Sequence, residues 1–244
     1  MQCRQLKYPQ VDVILKNGIM SCMEPTFFQK HPLCKDLLSL AGFIVAIVLG
    51  TLFLNTYIYR SYNVVGGSME NTLHENDRVI VNRAAVSFSH LLGQEYKPER
   101  GQIIVFLNED EEKVKEYKEQ GVNNPMTCTV PSNVSDQYII KRAIAFPGER
   151  VTVKDGIMKI YNDEYPDGFV YDDEWRTSET DGPKAHTSGE VDITVPDGEL
   201  FVSGDNREGS NSWDSRNGLG TIPYCRIIGP VMLRLFPLDK IRTF

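Results

Sequence analysis

Tyr138-Ile139-Ile140-Lys141-Arg142-Ala143-Ile144-Ala145-Phe146-Pro147-Gly148 is the stretch on which the fold turns. It opens as a β-branched and aromatic run and closes on a Pro-Gly turn signal, so it reads as a strand. Side chains alternate across a strand, which sends Lys141 and Arg142 to opposite faces, one toward the packed side and one toward solvent. Similar runs occur at Arg78–Asn82, Gln102–Leu107, Gly198–Gly204 and Arg226–Arg234. Glu149–Ile160 reads as a hairpin turning at Asp155-Gly156, a dipeptide suited to tight strand connections. Glu109–Gln120 is charged with little apolar periodicity, an exposed loop or a solvated helix. Residues 161–190 are rich in Asp, Gly, Ser and Thr and read as loop. The pattern predicts a mainly β domain with an inserted subdomain and no internal repeat.

Upstream lies a segment of opposite character. Leu37 to Tyr59 is 23 residues without a charge. About 20 apolar residues in a helix cross the hydrocarbon core, so this stretch is long enough to span it. Tyr57 and Tyr59 fall at one end, where amphipathic rings favour the interface. A buried core helix would carry a polar stripe, and this segment has none. A cleaved leader would be shorter, with a small-x-small site after it, and Asn55-Thr56-Tyr57-Ile58-Tyr59-Arg60 offers no such site. The segment is read as an uncleaved anchor.

Flanking charge orients it. Arg4, Lys7, Lys16, Lys30 and Lys35 precede the span against Asp12, Glu24 and Asp36, whereas Arg60 is the one basic residue after it until Arg78. This predicts a single-pass plasma-membrane protein with residues 1–36 cytoplasmic, 37–59 as the anchor and 60–244 outside. Of the chain's 26 basic and 33 acidic residues, 21 and 30 lie beyond the anchor, a net charge of −9 there. Such a surface argues against nucleic acid as a partner. Cys3, Cys22 and Cys34 fall on the reducing side, while Cys128 and Cys225 fall outside and are free either to pair or to remain thiols. The four histidines and five cysteines show no metal-ligand spacing, so no metal or cofactor is expected.

The chemistry is expected from a serine near the anchor. Ser68 follows Gly66-Gly67, and glycine allows unusual backbone angles and close approach of a substrate backbone. A serine nucleophile needs a base. His74 lies nearby in Leu73-His74-Glu75-Asn76-Asp77, a polar turn that places it on the surface. Lys141 is the better candidate. A lysine ordinarily titrates above about pH 10, but desolvation lowers this by roughly 3–5 pH units, which makes a neutral amine available.

Gly66-Gly67-Ser68-Met69-Glu70-Asn71-Thr72-Leu73 resembles the serine box of bacterial type I signal peptidases. Gly101–Phe106 resembles their next strand, Tyr138–Glu149 their lysine box, and Gly204-Asp205-Asn206-Arg207 with Asn211–Arg216 their last box. The four occur in family order. The resemblance implies an antiparallel β catalytic core, shared with self-cleaving repressor proteases, carrying a smaller β insertion at about 153–196 and a loop insertion at about 107–136. It implies a serine endopeptidase that removes signal peptides from secretory preproteins after small residues of Ala-x-Ala type. Its partners would be those preproteins and the lipid bilayer, with the secretion translocase nearby.

By the same resemblance Ser68 attacks the scissile carbonyl, Lys141 is general base, and the Ser68 backbone N–H forms part of the oxyanion hole. Ser212 matches the serine that orients the lysine, with Ser210 the alternative, and Asp214 and Arg216 match a supporting pair. Substrate would add as a strand against walls that include Val65, Met69, Leu73 and Ile140. Three departures stand out. Gly66 occupies the position where many relatives carry a hydroxyl oxyanion donor. Asn71 replaces a proline and is expected to loosen the turn, and Glu208-Gly209-Ser210 lengthens the last box. Cys22-Met23-Glu24-Pro25-Thr26 mimics the serine box before the anchor and is read as coincidence or an old duplication. A self-cleaving repressor would need a DNA-binding module that residues 1–36 are too short to supply. The eukaryotic-type signal peptidase uses histidine in place of lysine. An anchored preprotein-binding protein without catalysis is the remaining alternative.

Overall fold

The computed structural model describes residues 32–108, 137–171 and 186–244. Helix α1, Pro32–Phe53, continues as a π-helical turn over Leu54–Ile58. Asp36–Ile58 within it is long and apolar enough to cross a membrane, and its side chains are exposed rather than packed. Strand β1 then begins at Tyr59.

Two antiparallel sheets follow. The larger is built from β1 (Tyr59–Asn63), β2 (Arg78–Asn82), β3 (Ile103–Asn108), β4 (Gln137–Ala145), β9 (Glu199–Ser203), β10 (Ile222–Pro223), β11 (Ile227–Phe236) and β12 (Arg242–Thr243). Its order is β1-β2-β11-β3-β4-β9-β10, with β12 also on β11. The smaller holds β5 (Arg150–Lys154), β6 (Ile157–Tyr161), β7 (Phe169–Val170) and β8 (Val191–Thr194) in the order β7-β6-β5-β8. It begins at Arg150, three residues before the expected insertion. Asp155 and Gly156 both have positive φ, 52° and 78°, which is the twist a two-residue hairpin needs.

β3 is central, and its side chains divide by alternation. Ile103 and Val105 join a core with Val64, Met69, Leu73, Val79, Val81 and Val231. Ile104 and Phe106 join another with Val86, Leu200, Val202 and Ile222. A strand buried on both faces reads as a continuous apolar run, which Ile-Ile-Val-Phe-Leu is. A third core, including Ile144, Val151, Val153, Met158, Ile160 and Phe201, unites the smaller sheet with β4 and β9.

Several expectations are revised. Arg142 does not face solvent: it and Lys141 leave opposite faces of β4, and both are buried, because Asp205 and Thr72 cover the arginine's side. The 161–190 segment is not wholly loop, since Phe169–Val170 pairs with β6. Helix α2, Ala84–Leu91, has no long apolar periodicity to announce it; Val86 alone is buried, and Phe88, Leu91 and Leu92 are exposed. The charged stretch Glu109–Gln120, Cys128 and the Cys22–Thr26 mimic lie outside the described residues. Cys225 is disulfide-bonded.

Candidate active site

Ser68 sits on a loop between β1 and β2 that is closed at its neck. Val64 N–H donates to Asp77 O (2.8 Å) and Asn76 N–H to Val64 O (2.9 Å). Arg234 bonds Thr72 O and the Asp77 carboxylate from beneath. Met69 and Leu73 are fully buried and tie the loop to the core. They therefore do not form walls, as the sequence reading expected; the side chains that line the groove are others. Gly66 takes φ +83°, and so does Asn71. Proline is held near about −65° and cannot adopt that angle, whereas asparagine tolerates it. Asn71 thus sets a left-handed turn rather than loosening one.

Lys141 comes from β4, where its Cα pairs with Ile104. Its Nζ donates to Ser68 Oγ at 2.6 Å and to Ile140 O at 3.0 Å. The side chain is 4% exposed. Burial lowers its pKa from 10.5 to about 8; the carboxylates of Asp214 and Asp205 pull it back upward, and Arg216 pushes it down. About a tenth of it is therefore uncharged at pH 7 and half at about pH 8, in contact with the hydroxyl it would deprotonate. His74 is exposed.

A network of buried polar groups supports this pair. Ser212 Oγ donates to Asp214 Oδ2 at 2.6 Å, an oxygen that also accepts from Gly204 N–H (2.9 Å) and Arg216 Nη2 (2.8 Å). Arg216 Nε and its own N–H reach Oδ1, both at 3.0 Å. Burial pushes the Asp214 carboxyl up, but Arg216, Ser212 and the Gly204 amide outweigh it and hold the pKa below the ordinary carboxylate range. Ser212 was expected to orient the lysine; its hydroxyl proton goes to Asp214, the carboxylate that pulls the Lys141 pKa upward. Ser210 is exposed. Behind β4, Arg142 makes a two-pronged pair with Asp205, at 2.9 and 2.6 Å.

Ser68 and Lys141 open onto a groove of about 290 Å³. Val65 and Ile140 line it, and so do Tyr62, Tyr138 and Trp213, which the sequence reading did not single out. Tyr138 was findable, since it shares a strand face with Ile140 two residues on. Trp213, from the lengthened last box, had no such signal. Gly66 also borders the groove but has no side chain to offer a donor. Among the described residues no cluster of His, Cys, Asp or Glu has the grouping to hold a metal.

A β core carrying a serine in contact with a buried lysine defines a candidate Ser/Lys hydrolase, and comparison with known proteins narrows the class. Residues 36–236 match the family described as signal peptidase, peptidase S26. Signal peptidase I of Bacillus licheniformis is 31% identical over 199 residues, 82% of this chain and 88% of that protein. Signal peptidase I S of Bacillus subtilis strain 168 is 30% identical over 208 residues, 85% of this chain and 94% of that protein. A signal peptidase I crystal structure from Enterococcus faecalis V583 aligns at 24% identity and a TM-score of 0.33, covering 55% of this chain and 96% of that one. The chain belongs to the signal peptidase family, peptidase S26, whose members are serine peptidases.

Proposed function

We propose that this protein removes signal peptides from exported preproteins, with Ser68 as nucleophile and Lys141 as general base. The observation that carries the reading is the 2.6 Å contact between Lys141 Nζ and Ser68 Oγ, made by an amine whose pKa burial has brought to about 8. The neutral amine takes the hydroxyl proton as Oγ attacks the scissile carbonyl carbon. The resulting oxyanion accepts from the Ser68 N–H. As the C–N bond breaks, Lys141 returns the proton to the leaving amine. Water, deprotonated by the same lysine, then releases the acyl group and restores Ser68.

The preprotein would lie as an extended strand in the groove, small side chains entering between Val65, Tyr62, Tyr138 and Ile140. We assign residues 37–59 as an uncleaved anchor, 1–36 to the cytoplasm and 60–244 to the outer side as the peptidase domain, beside the translocase. The exposed apolar span supports anchoring. So does α2: Ser87 Oγ donates to Tyr57 O, and this helix with its C-cap exposes Phe88, Leu91 and Leu92 next to the end of the span. Cleavage of a preprotein with an Ala-x-Ala site by the detergent-solubilised full chain tests the assignment. Ser68→Ala and Lys141→Ala should each lose nearly all turnover, and substantial activity in either would refute the dyad.

A further inference from the structure

Two consecutive glycines precede Ser68, so side-chain sterics do not hold the Gly67–Ser68 peptide in one orientation. A segment from the far end of the chain does so. Gly204-Asp205-Asn206 passes behind the loop, so close that a Cβ on Gly204 would run into Ser68 O and Ser212 Oγ. Asn206 N–H donates to Ser68 O at 3.1 Å. Its side-chain Nδ2 donates to Gly67 O at 3.1 Å and reaches Glu70 Oε2 at 3.4 Å. Both acceptors are oxygens without a hydrogen, which fixes which end of the amide faces the loop. Glu70 N–H adds a second donor to Gly67 O at 3.1 Å.

In a planar trans peptide the carbonyl and the following N–H point in opposite directions. Drawing Gly67 O back onto Asn206 therefore turns the Ser68 N–H the other way. Among the described residues that N–H has no acceptor, and Ser68 borders the groove. We infer that Asn206 is a positioning residue: its side-chain amide sets the Gly67–Ser68 peptide plane so that the Ser68 N–H meets the developing oxyanion. The inference rests on Ser68 being the nucleophile. It also answers in part the loss of a hydroxyl donor at Gly66, because a site with fewer donors depends more on the aim of those it has.

The test compares wild type, Asn206→Ala and Asn206→Asp in full-length protein in detergent, with Ser68→Ala alongside. Asn206→Asp keeps the shape and loses the donor. Removing one oxyanion donor costs about 10²–10³ in kcat, and here the donor is misaimed rather than removed, so kcat should fall roughly 10–100-fold with KM within about twofold. Affinity for a peptide aldehyde, to which Ser68 Oγ adds to form a tetrahedral adduct, should weaken in parallel. Affinity for an uncleavable peptide analogue should not change, and the inflection of the Asn206→Ala pH–rate profile should stay where wild type has it. Unchanged kcat and aldehyde affinity would overturn the inference. So would a shifted Lys141 inflection, or loss of the folded state in both variants, since each would assign Asn206 a purely structural part. Turnover by Ser68→Ala would instead remove the underlying reading; an inactive Ser68→Ala beside a fully active Asn206→Ala would remove this inference alone.

Discussion

Lys141 is held in the fold at a cost, and replacing it with methionine should reveal how much. The amine titrates at about 8 against an ordinary 10.5. That difference corresponds to about 3 kcal/mol disfavouring the protonated form in the folded state. Between those two values the unfolded chain still holds a proton that the folded chain has released. Wild-type stability therefore climbs with pH across this window, and the penalty is fully present below about 8. Methionine removes the penalty but also the Nζ contacts to Ser68 Oγ and Ile140 O. Those contribute about 1 kcal/mol each, which leaves a net gain of about 1 kcal/mol at pH 7. For a chain of this size that raises Tm by about 2–4 °C. The pH dependence is the sharper observable: from pH 7 to pH 10 the difference should move by about 2 kcal/mol in wild type's favour as wild type sheds its proton, turning the gain of Lys141→Met into a deficit of about 1 kcal/mol. Thermal or denaturant unfolding of both proteins in detergent at the two pH values measures this. An advantage that stays constant or grows with pH would refute the burial of a strained ammonium.

Other parts of the structure make independent predictions. Asp205→Asn leaves the Arg142 guanidinium buried without its carboxylate, so denaturant unfolding should show a loss of about 3–5 kcal/mol, and an unchanged midpoint would contradict the pairing. Leu73→Ala should cost about 2–5 kcal/mol because Leu73 is core, while Val65→Ala, at an exposed groove position, should leave stability nearly unchanged and alter KM for preprotein. The reverse pattern would restore Leu73 as a wall. Gly156→Ala places a side chain at φ +78° and against the His186 ring, and should lower stability by about 1–2 kcal/mol or more.

Strand runs with clear alternation or continuous apolar character were legible in the sequence. β3, β4 and the Asp155-Gly156 hairpin follow directly from residue pattern and turn chemistry. α2 was not, because eight residues with one buried side chain carry too little periodicity to register. β7 is two residues long and is defined by pairing with β6, a tertiary fact. In the site, Ser68 and Lys141 were legible as residue types in context, but their contact joins positions 73 residues apart and only the sheet order supplies it. The burial of Arg142 was missed because period-two logic assumes one open face, and Asp205 covers that face from a distant strand end. Met69 and Leu73 were misassigned for a related reason: adjacency to a nucleophile does not say whether a side chain points into the groove or into the core.

The pH dependence of kcat/KM for an Ala-x-Ala preprotein, followed from pH 6 to pH 10, tests the central assignment most directly. With Lys141 as the base, the neutral amine is about a tenth of the total at pH 7 and dominates above pH 8. The rate should climb nearly tenfold per pH unit on the acid side, bend at about 8, and level off above it. A profile flat through this range, or one bending near the histidine range, would contradict a Ser68–Lys141 dyad.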